Sequence, residues 1–433
     1  MLMLLWSDIF IYALVIFIFL IFRYIMATPQ SIESWSNMFS KVRFIIAFCV
    51  LSLFFFISFI DSIHFYKKII INGKIQQTND IYSILDYLLS LRSTTFEVSY
   101  SAPFAKYEFV SSIGGQLNKL EYIQTTKLLK VSLIAALKAS LISLTYISIV
   151  TLFLKRKINL YGKSFKVFAL CSTLLLTLFL TSLELSQYYH ILGTSKIGQD
   201  IFYMCLKSIR TAILIGTLTT IITLPISISL GTLAGYYGGL VDDLIQYIYT
   251  TINSIPSVLL ISAAILSLQV ILNNNLAVMS TMDKRIDARL ILLCLILGIT
   301  SWTSLCRLIR AKTLTLKTFD YVLVAKTLKV PSYKIIWRHI VPNLYSIIFI
   351  AVALDFSSLV LAEAVLSYVG VGVDPSSYSW GNMINSSRLE ISRDPIVWWP
   401  LVSCFVFMTS LVLSANIFAD ALKNVFEPRD DNA

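Results

Sequence analysis

The stretch Ser301–Asn343 reads SWTSLCRLIRAKTLTLKTFDYVLVAKTLKVPSYKIIWRHIVPN and lies between two long apolar runs. It carries Arg307, Arg310, Lys312, Lys317, Lys326, Lys329, Lys334 and Arg338 against one acid, Asp320. Outward from it, apolar runs close to the ~20 residues that cross a bilayer recur along the chain. They fall at 8–26, 43–60, 131–154, 165–185, 209–233, 254–272, 288–302, 344–366 and 396–422. Of the 433 residues, 57% are hydrophobic and 14% charged, where a soluble domain averages about 25% charged. The ten-residue alternating segments of a membrane β-barrel are absent. The pattern predicts an all-α integral membrane protein.

Loop charge predicts orientation. The 27–42 connection has Arg23, Lys41 and Arg43 at its edges, and the 155–166 connection carries Lys155, Arg156, Lys157, Lys163 and Lys166. With nine spans these two connections and 301–343 fall on one side, the side that excess Lys and Arg mark as cytoplasmic. The C-terminus is then inside and the N-terminus outside. Because the +11 net charge collects in such loops, it reads as membrane orientation and not as a nucleic-acid footprint. The start of the chain lacks a basic stretch before its apolar run, so a cleaved signal peptide is not expected. The 61–130 connection, exterior on this scheme, shows a helical pattern at 81–91 and an extended one at 94–110.

Catalytic chemistry is not in evidence. No Gly-x-x-x-x-Gly-Lys-Ser/Thr loop occurs, so any ATP used must be hydrolysed by another chain. Six scattered cysteines without a C-x-x-C pair and three histidines give no metal site. No nucleophile, base and oxyanion donor come together in the pattern.

Within the basic stretch, 318–329 predicts an amphipathic helix with Tyr321, Val324 and Leu328 on one side. Pro331 suits the first turn of a second short helix, which Pro342 ends. Such a bent pair fits a groove on a soluble partner, or equally a membrane surface held by anionic lipid and Trp337.

These residues resemble a family. Tyr321 to Lys329, followed by Arg338-His339-Ile340-Val341-Pro342-Asn343, is similar to the cytoplasmic EAA loop of ABC importer permeases, most of all the C-type subunit of bacterial dipeptide and oligopeptide importers. Leu192 to Asp200 resembles that family's L-G-T-D-x-x-G-R-D. Ala234 to Gly239 with Asp242 and Pro256, Ala362 to Val373 with Ser379 to Met383, and Asp420 to Arg429 follow in register. The resemblance covers 165–430. It implies a six-helix permease core at 161–433 with a coupling loop at 303–343, preceded at 1–160 by about three extra transmembrane helices and a large exterior loop. It further implies a permease in a bacterial inner membrane, moving di- or oligopeptides beside a second homologous permease, two ABC ATPase subunits that hydrolyse the ATP, and an extracytoplasmic solute-binding protein. This chain would hold no cofactor. Coupling contacts are expected at Asp320, Ala325, Lys329, Pro331, His339 and Pro342.

The chain departs from the family at several positions. Lys329 stands where relatives have glycine, and so should manage without the positive φ that glycine allows. Leu323 replaces the naming glutamate, while Ser195 and Gln199 replace an aspartate and an arginine.

Two acids remain. Asp355, in mid-span, either lines the path and receives a substrate amine or is neutral and hydrogen-bonded to a neighbouring helix. Glu363 either holds the exterior gate or is a solvated interface carboxylate. Lys138 and Glu184 are expected to snorkel. Pro225 and Gly231 are expected to kink their span, and Trp398 and Trp399 to anchor at the interface. A secondary transporter or channel would need ionisable groups in several spans, and a membrane enzyme a polar cluster at the interface; the pattern offers neither.

Overall fold

The computed structural model describes residues 2–3, 5–25, 38–71, 74–89, 99–105, 128–157, 163–274, 282–393 and 396–426. Helices dominate, as the hydropathy pattern requires: lipid offers no partners for backbone N–H and C=O groups, so a spanning segment satisfies them internally. Seven described helices are long and apolar enough to cross a membrane, or eight when one bent pair is counted. The ninth expected span is helix α1 (Trp6–Ile25), whose apolar part, Trp6–Ile18, is shorter. The chain forms two compact units.

The first unit comprises residues 1–213 and 375–417. It holds α1, α2 (Val42–Asp61), a β-hairpin, the short α3 (Ile84–Leu88), α4 (Leu128–Lys157), α5 (Lys163–Ser186) and the start of α6 (Ile201–Tyr237). It also holds α13 (Trp380–Ser387) and most of α14 (Trp399–Phe426). The hairpin is a departure from the all-helical expectation: β2 (His64–Ile71) pairs antiparallel with β3 (Lys74–Ser83), and β1 (Leu2–Met3) adds a third strand on β2. The helix expected at 81–91 is confined to α3, because Ser83 caps it in a reciprocal box with Asp86 that fixes where the strand ends. Most of the extended stretch expected at 94–110 lies outside the described residues.

Helix α5 packs against both α4 and α2. Lys138 and Glu184 pair across α4 and α5 at 2.9 Å. The chain leaves toward α4 just after Phe104 and returns beside it: Phe104 N–H donates to His190 O at 2.9 Å, and Thr194 N–H to Ser101 O at 2.9 Å.

The second unit comprises residues 214–374 and 418–433. It contains the rest of α6, α7 (Gly239–Ser254), α8 (Ser257–Asn274), α9 (Met282–Leu316), α10 (Asp320–Thr327), α11 (Ser332–Ile335) and α12 (Val341–Val369). Helix α7 meets α8 at 85°, so the span expected at 254–272 is the second arm of a broken pair. Helix α6 runs unbroken through Pro225. Gly231 and Gly235 let α9 come close: a Cβ at Gly231 would stand 2.8 Å from Cys306 O, and one at Gly235 2.6 Å from Thr313 Cβ. Gly231 is therefore a contact surface, beyond its expected role in a kink.

Helix α9 has 35 residues and spans about 52 Å at 1.5 Å per residue, well beyond a ~30 Å hydrocarbon core. Residues 301–316, which the sequence placed in the basic loop, therefore belong to a helix that projects from the span. The connection between helices is only 317–340.

Candidate functional site

The connection is built as a knob on α9 and α12. Its underside is apolar: Val322, Ala325, Ile335, Ile336 and Ile340 pack with Leu305, Ile309 and Leu316 of α9 and Leu344, Ile348 and Ala351 of α12. Helix α10 begins with Asp320, an acid in the first turn where the helix dipole favours one. It ends in a left-handed turn. Lys329 N–H donates to Lys326 O at 3.0 Å and Val330 N–H to Ala325 O at 3.1 Å, the two bonds of a Schellman cap. Lys329 has φ +55°. The expectation that lysine forfeits this geometry is corrected: the backbone takes the glycine-type turn with lysine in it, because two otherwise orphaned carbonyls are satisfied there.

Pro331 caps α11 from just outside its first residue. The second short helix does not end at Pro342. It passes through a π-turn, Ile336–Ile340, directly into α12, with Pro342 in the first turn of α12. The proline lacks the N–H that an uninterrupted α-helix would use there, and the wider turn accommodates it. Ser332–Val369 is therefore one continuous helical run.

The outward surface has a different character. Val324 (56% exposed), Leu328 (72%), Tyr333 (64%) and Trp337 (66%) stand open, flanked by Phe319 and Tyr321. Asp320, Lys326, Lys329, Lys334 and Arg338 are exposed, and none pairs with another side chain among the described residues. The apolar side expected at Tyr321, Val324 and Leu328 faces away from the core.

Three of the other basic residues of the stretch, Arg307, Arg310 and Lys317, are used internally. Arg310 grips Asp242 of α7 through Nε (2.5 Å) and a terminal nitrogen (2.6 Å). Lys317 donates to Gly235 O in the last turn of α6 at 3.0 Å, and Arg307 lies over the Tyr249 ring.

Of the six residues expected to make coupling contacts, Asp320, Lys329, Pro331 and Pro342 are exposed. His339 is half-buried beside Tyr321, with ring centroids 6.3 Å apart, and Asn343 bridges the Tyr321 hydroxyl and His339 O. Ala325, only 7% exposed, lies in the core under the knob and presents nothing outward. Glu363 is likewise buried (3% exposed), accepting from Ser367 Oγ at 2.7 Å, so it is not a solvated interface carboxylate. Asp355 is half-buried and lines a cleft described below.

The sequence reading missed a second polar centre, in the first unit. Lys207 lies 2.9 Å from both Asp61 and Asp86, and the Tyr203 hydroxyl donates to Asp86 at 2.8 Å. One turn further along α6, Arg210 lies 2.7 Å from Asp8, which also meets His64 Nδ1 at 2.8 Å. His190 and Asp200 pair at 2.6 Å. The turn at 195–199 closes without an ion pair: Ser195 Oγ accepts from Ile197 and Gln199 N–H groups. Trp399 is buried and donates to Thr194 O at 3.1 Å, so only Trp398 remains exposed as an interface aromatic. Tyr100 donates to Glu390 at 2.9 Å, and burial together with that bond pushes its phenol above the ordinary tyrosine value. The signal in the sequence was the i, i+3 pair Lys207 and Arg210 in an apolar helix, with unmatched acids at the ends of the first two spans.

Known proteins match this sequence. Residues 227–430, the stretch that includes the knob, match the binding-protein-dependent transport system inner membrane component family. The chain is similar to that family over this stretch. With its apolar helices it is a multi-pass inner-membrane protein, and the matched stretch is preceded by 226 residues outside the family match. Among similar proteins is the dipeptide transport system permease protein DppC of Lactococcus lactis subsp. cremoris. It is 28% identical over 55% of this chain, and the match spans 64% of that relative's length, less than two thirds. The oligopeptide transport system permease protein OppC of Mycobacterium bovis is 28% identical over 55% of this chain and 76% of its own length. The OppC of Bacillus subtilis is 28% identical over 55% of this chain and 72% of its own.

Proposed function

We propose that this chain is the transmembrane permease subunit of an ATP-driven importer of di- or oligopeptides, and that the knob is its point of coupling to a separate ATPase. The observation that carries the reading is the two-sided knob: an apolar underside seated on two spans, and an outer face of open aromatic and aliphatic groups among unpaired cations. A surface patch of that kind marks a protein docking site. The unbroken run from α11 into α12 supplies the lever by which closing ATPases rock the spans between inward- and outward-open states.

The chain works beside a second homologous permease, two ATPase subunits and an extracytoplasmic solute-binding protein, and holds no ATPase site or cofactor of its own. The knob and the C-terminus face the cytoplasm. The N-terminus is exterior, in keeping with the pairing of β1 on the hairpin that follows α2. Asp320, Lys329, Pro331, His339 and Pro342 remain the proposed coupling residues. Ala325 supports them from beneath, and Glu363 braces the other end of α12 through Ser367.

The test is ATP-dependent uptake of a labelled dipeptide by the reconstituted assembly, together with co-purification of the ATPase. Lys329→Glu should abolish uptake while the chain stays in the membrane. Normal uptake and normal co-purification in that variant would refute the coupling role. Reagent labelling of Lys326 and Lys334 from the exterior alone would refute the orientation.

A further inference from the structure

A cleft of about 380 Å3 opens in the second unit between α9, α12 and the end of α14. Leu305 and Ala351 form apolar wall, Ser304 adds a hydroxyl, and Asp355, Asp420 and Lys423 bring charge to the lining. Asp355 lies 14 residues into α12 from Val341, roughly 20 Å along the helix and so near the middle of the span.

Its state differs from that of the molecule's other buried or half-buried acids. Asp8, Asp61, Asp86 and Asp242 each meet a lysine or arginine, and Asp374 meets Arg289 at 3.2 Å. Asp200 meets a histidine and Glu363 a serine. The Asp355 carboxylate has no side-chain partner among the described residues, and Asp420 and Lys423 pair neither with each other nor with it. An ionisable group in mid-span is costly unless something meets it. Here the unmatched carboxylate faces an open space large enough for a small molecule, and both signs of charge stand exposed on the same lining.

We infer that this cleft binds a short apolar peptide by its two ends: the ammonium on Asp355, the apolar side chain against Leu305 and Ala351, and the carboxylate toward Lys423. An ammonium–carboxylate bond of this kind is among the stronger hydrogen bonds a site can offer. Leu305 and Ala351 belong also to the core beneath the knob. Displacing the knob therefore reshapes the cleft wall, which ties ligand release to the ATPase. The inference rests on the peptide-importer reading and names the site within it.

The experiment uses the assembled permease and ATPase subunits in lipid nanodiscs, without binding protein. Equilibrium binding is measured for radiolabelled leucyl-leucine, its N-acetyl derivative and its C-terminal amide. Leucyl-leucine should bind at least tenfold more tightly than the N-acetyl form. Asp355→Asn should erase that difference and Asp355→Glu should keep it. Lys423→Gln, at an exposed position, should weaken leucyl-leucine severalfold and leave the amide unchanged. The inference is overturned if the parent assembly does not bind leucyl-leucine, if Asp355→Asn discriminates as before, or if Lys423→Gln affects both ligands alike. ATP-dependent uptake by the complete parent system separates the two levels. Uptake with any of those results removes the cleft alone, and no uptake of any peptide removes the importer reading.

Discussion

The two polar regions of this chain use charge in opposite ways. In the first unit, Lys207 and Arg210 are mostly buried and matched by Asp61, Asp86 and Asp8, at 2.7–2.9 Å. In the knob, Lys326, Lys329, Lys334 and Arg338 are exposed and unmatched, set among open aromatic and aliphatic side chains. A buried, satisfied cation fastens one part of a chain to another. An exposed one beside apolar surface is left for something the chain does not contain. Charge count alone does not separate these cases; the partner within reach does.

The sharpest way to break the contrast is Lys207→Met. It strands two buried carboxylates, and removing one side of such a pairing costs about 3–5 kcal/mol. The chain should fall to a small fraction of its normal level in the membrane, read by quantitative immunoblot. Adding Asp61→Asn and Asp86→Asn should restore much of it.

At the knob the effect should move from folding to association. Val324→Glu should leave membrane level and melting temperature unchanged and weaken ATPase binding by tenfold or more, measured by titration of the purified subunits. A loss of melting temperature would place Val324 in the core.

Ala325→Leu sharpens the boundary between the two faces of the knob. Its side chain enters the packed underside, where overfilling costs about 1–3 kcal/mol. Thermal stability should fall, in contrast to Val324→Glu. The smallest effect belongs to Lys329→Gly. It relieves a left-handed residue, gaining on the order of 1 kcal/mol, read as a small rise in melting temperature.

Much of this architecture was legible in the sequence, for identifiable reasons. The long apolar runs forced helices, and 318–342 announced its bend through Pro331 and the period of its apolar residues. The limits of the elements were less legible. Hydropathy ends where charge begins, but α9 continues through Arg307, Arg310 and Lys312 because Asp242, Tyr249 and Lys317's bond to Gly235 O give the projecting helix something to lean on. Pro342 read as a stop because proline removes a helix donor, and a π-turn absorbed that loss. Of the candidate site, the basic charge and the bend of the knob were readable from pattern. The burial of Ala325 and Glu363 was not, since it depends on which neighbours close over them. The pairing at Lys207 and Arg210 was not legible for a related reason, although the two cations stood out in an apolar helix: the acids come from positions up to 202 residues away.

The bond from Phe104 N–H to His190 O has a consequence for how such a chain could be assembled from smaller ones. Ala105 and Tyr188 flank the two helices α4 and α5, and the peptide groups beside them adjoin. A splice of a few residues from Ala105 to Tyr188 would not need to re-route anything upstream or downstream. The same juncture is a place where a membrane hairpin could be acquired in one step, its loss or gain leaving the remainder of the thread in place.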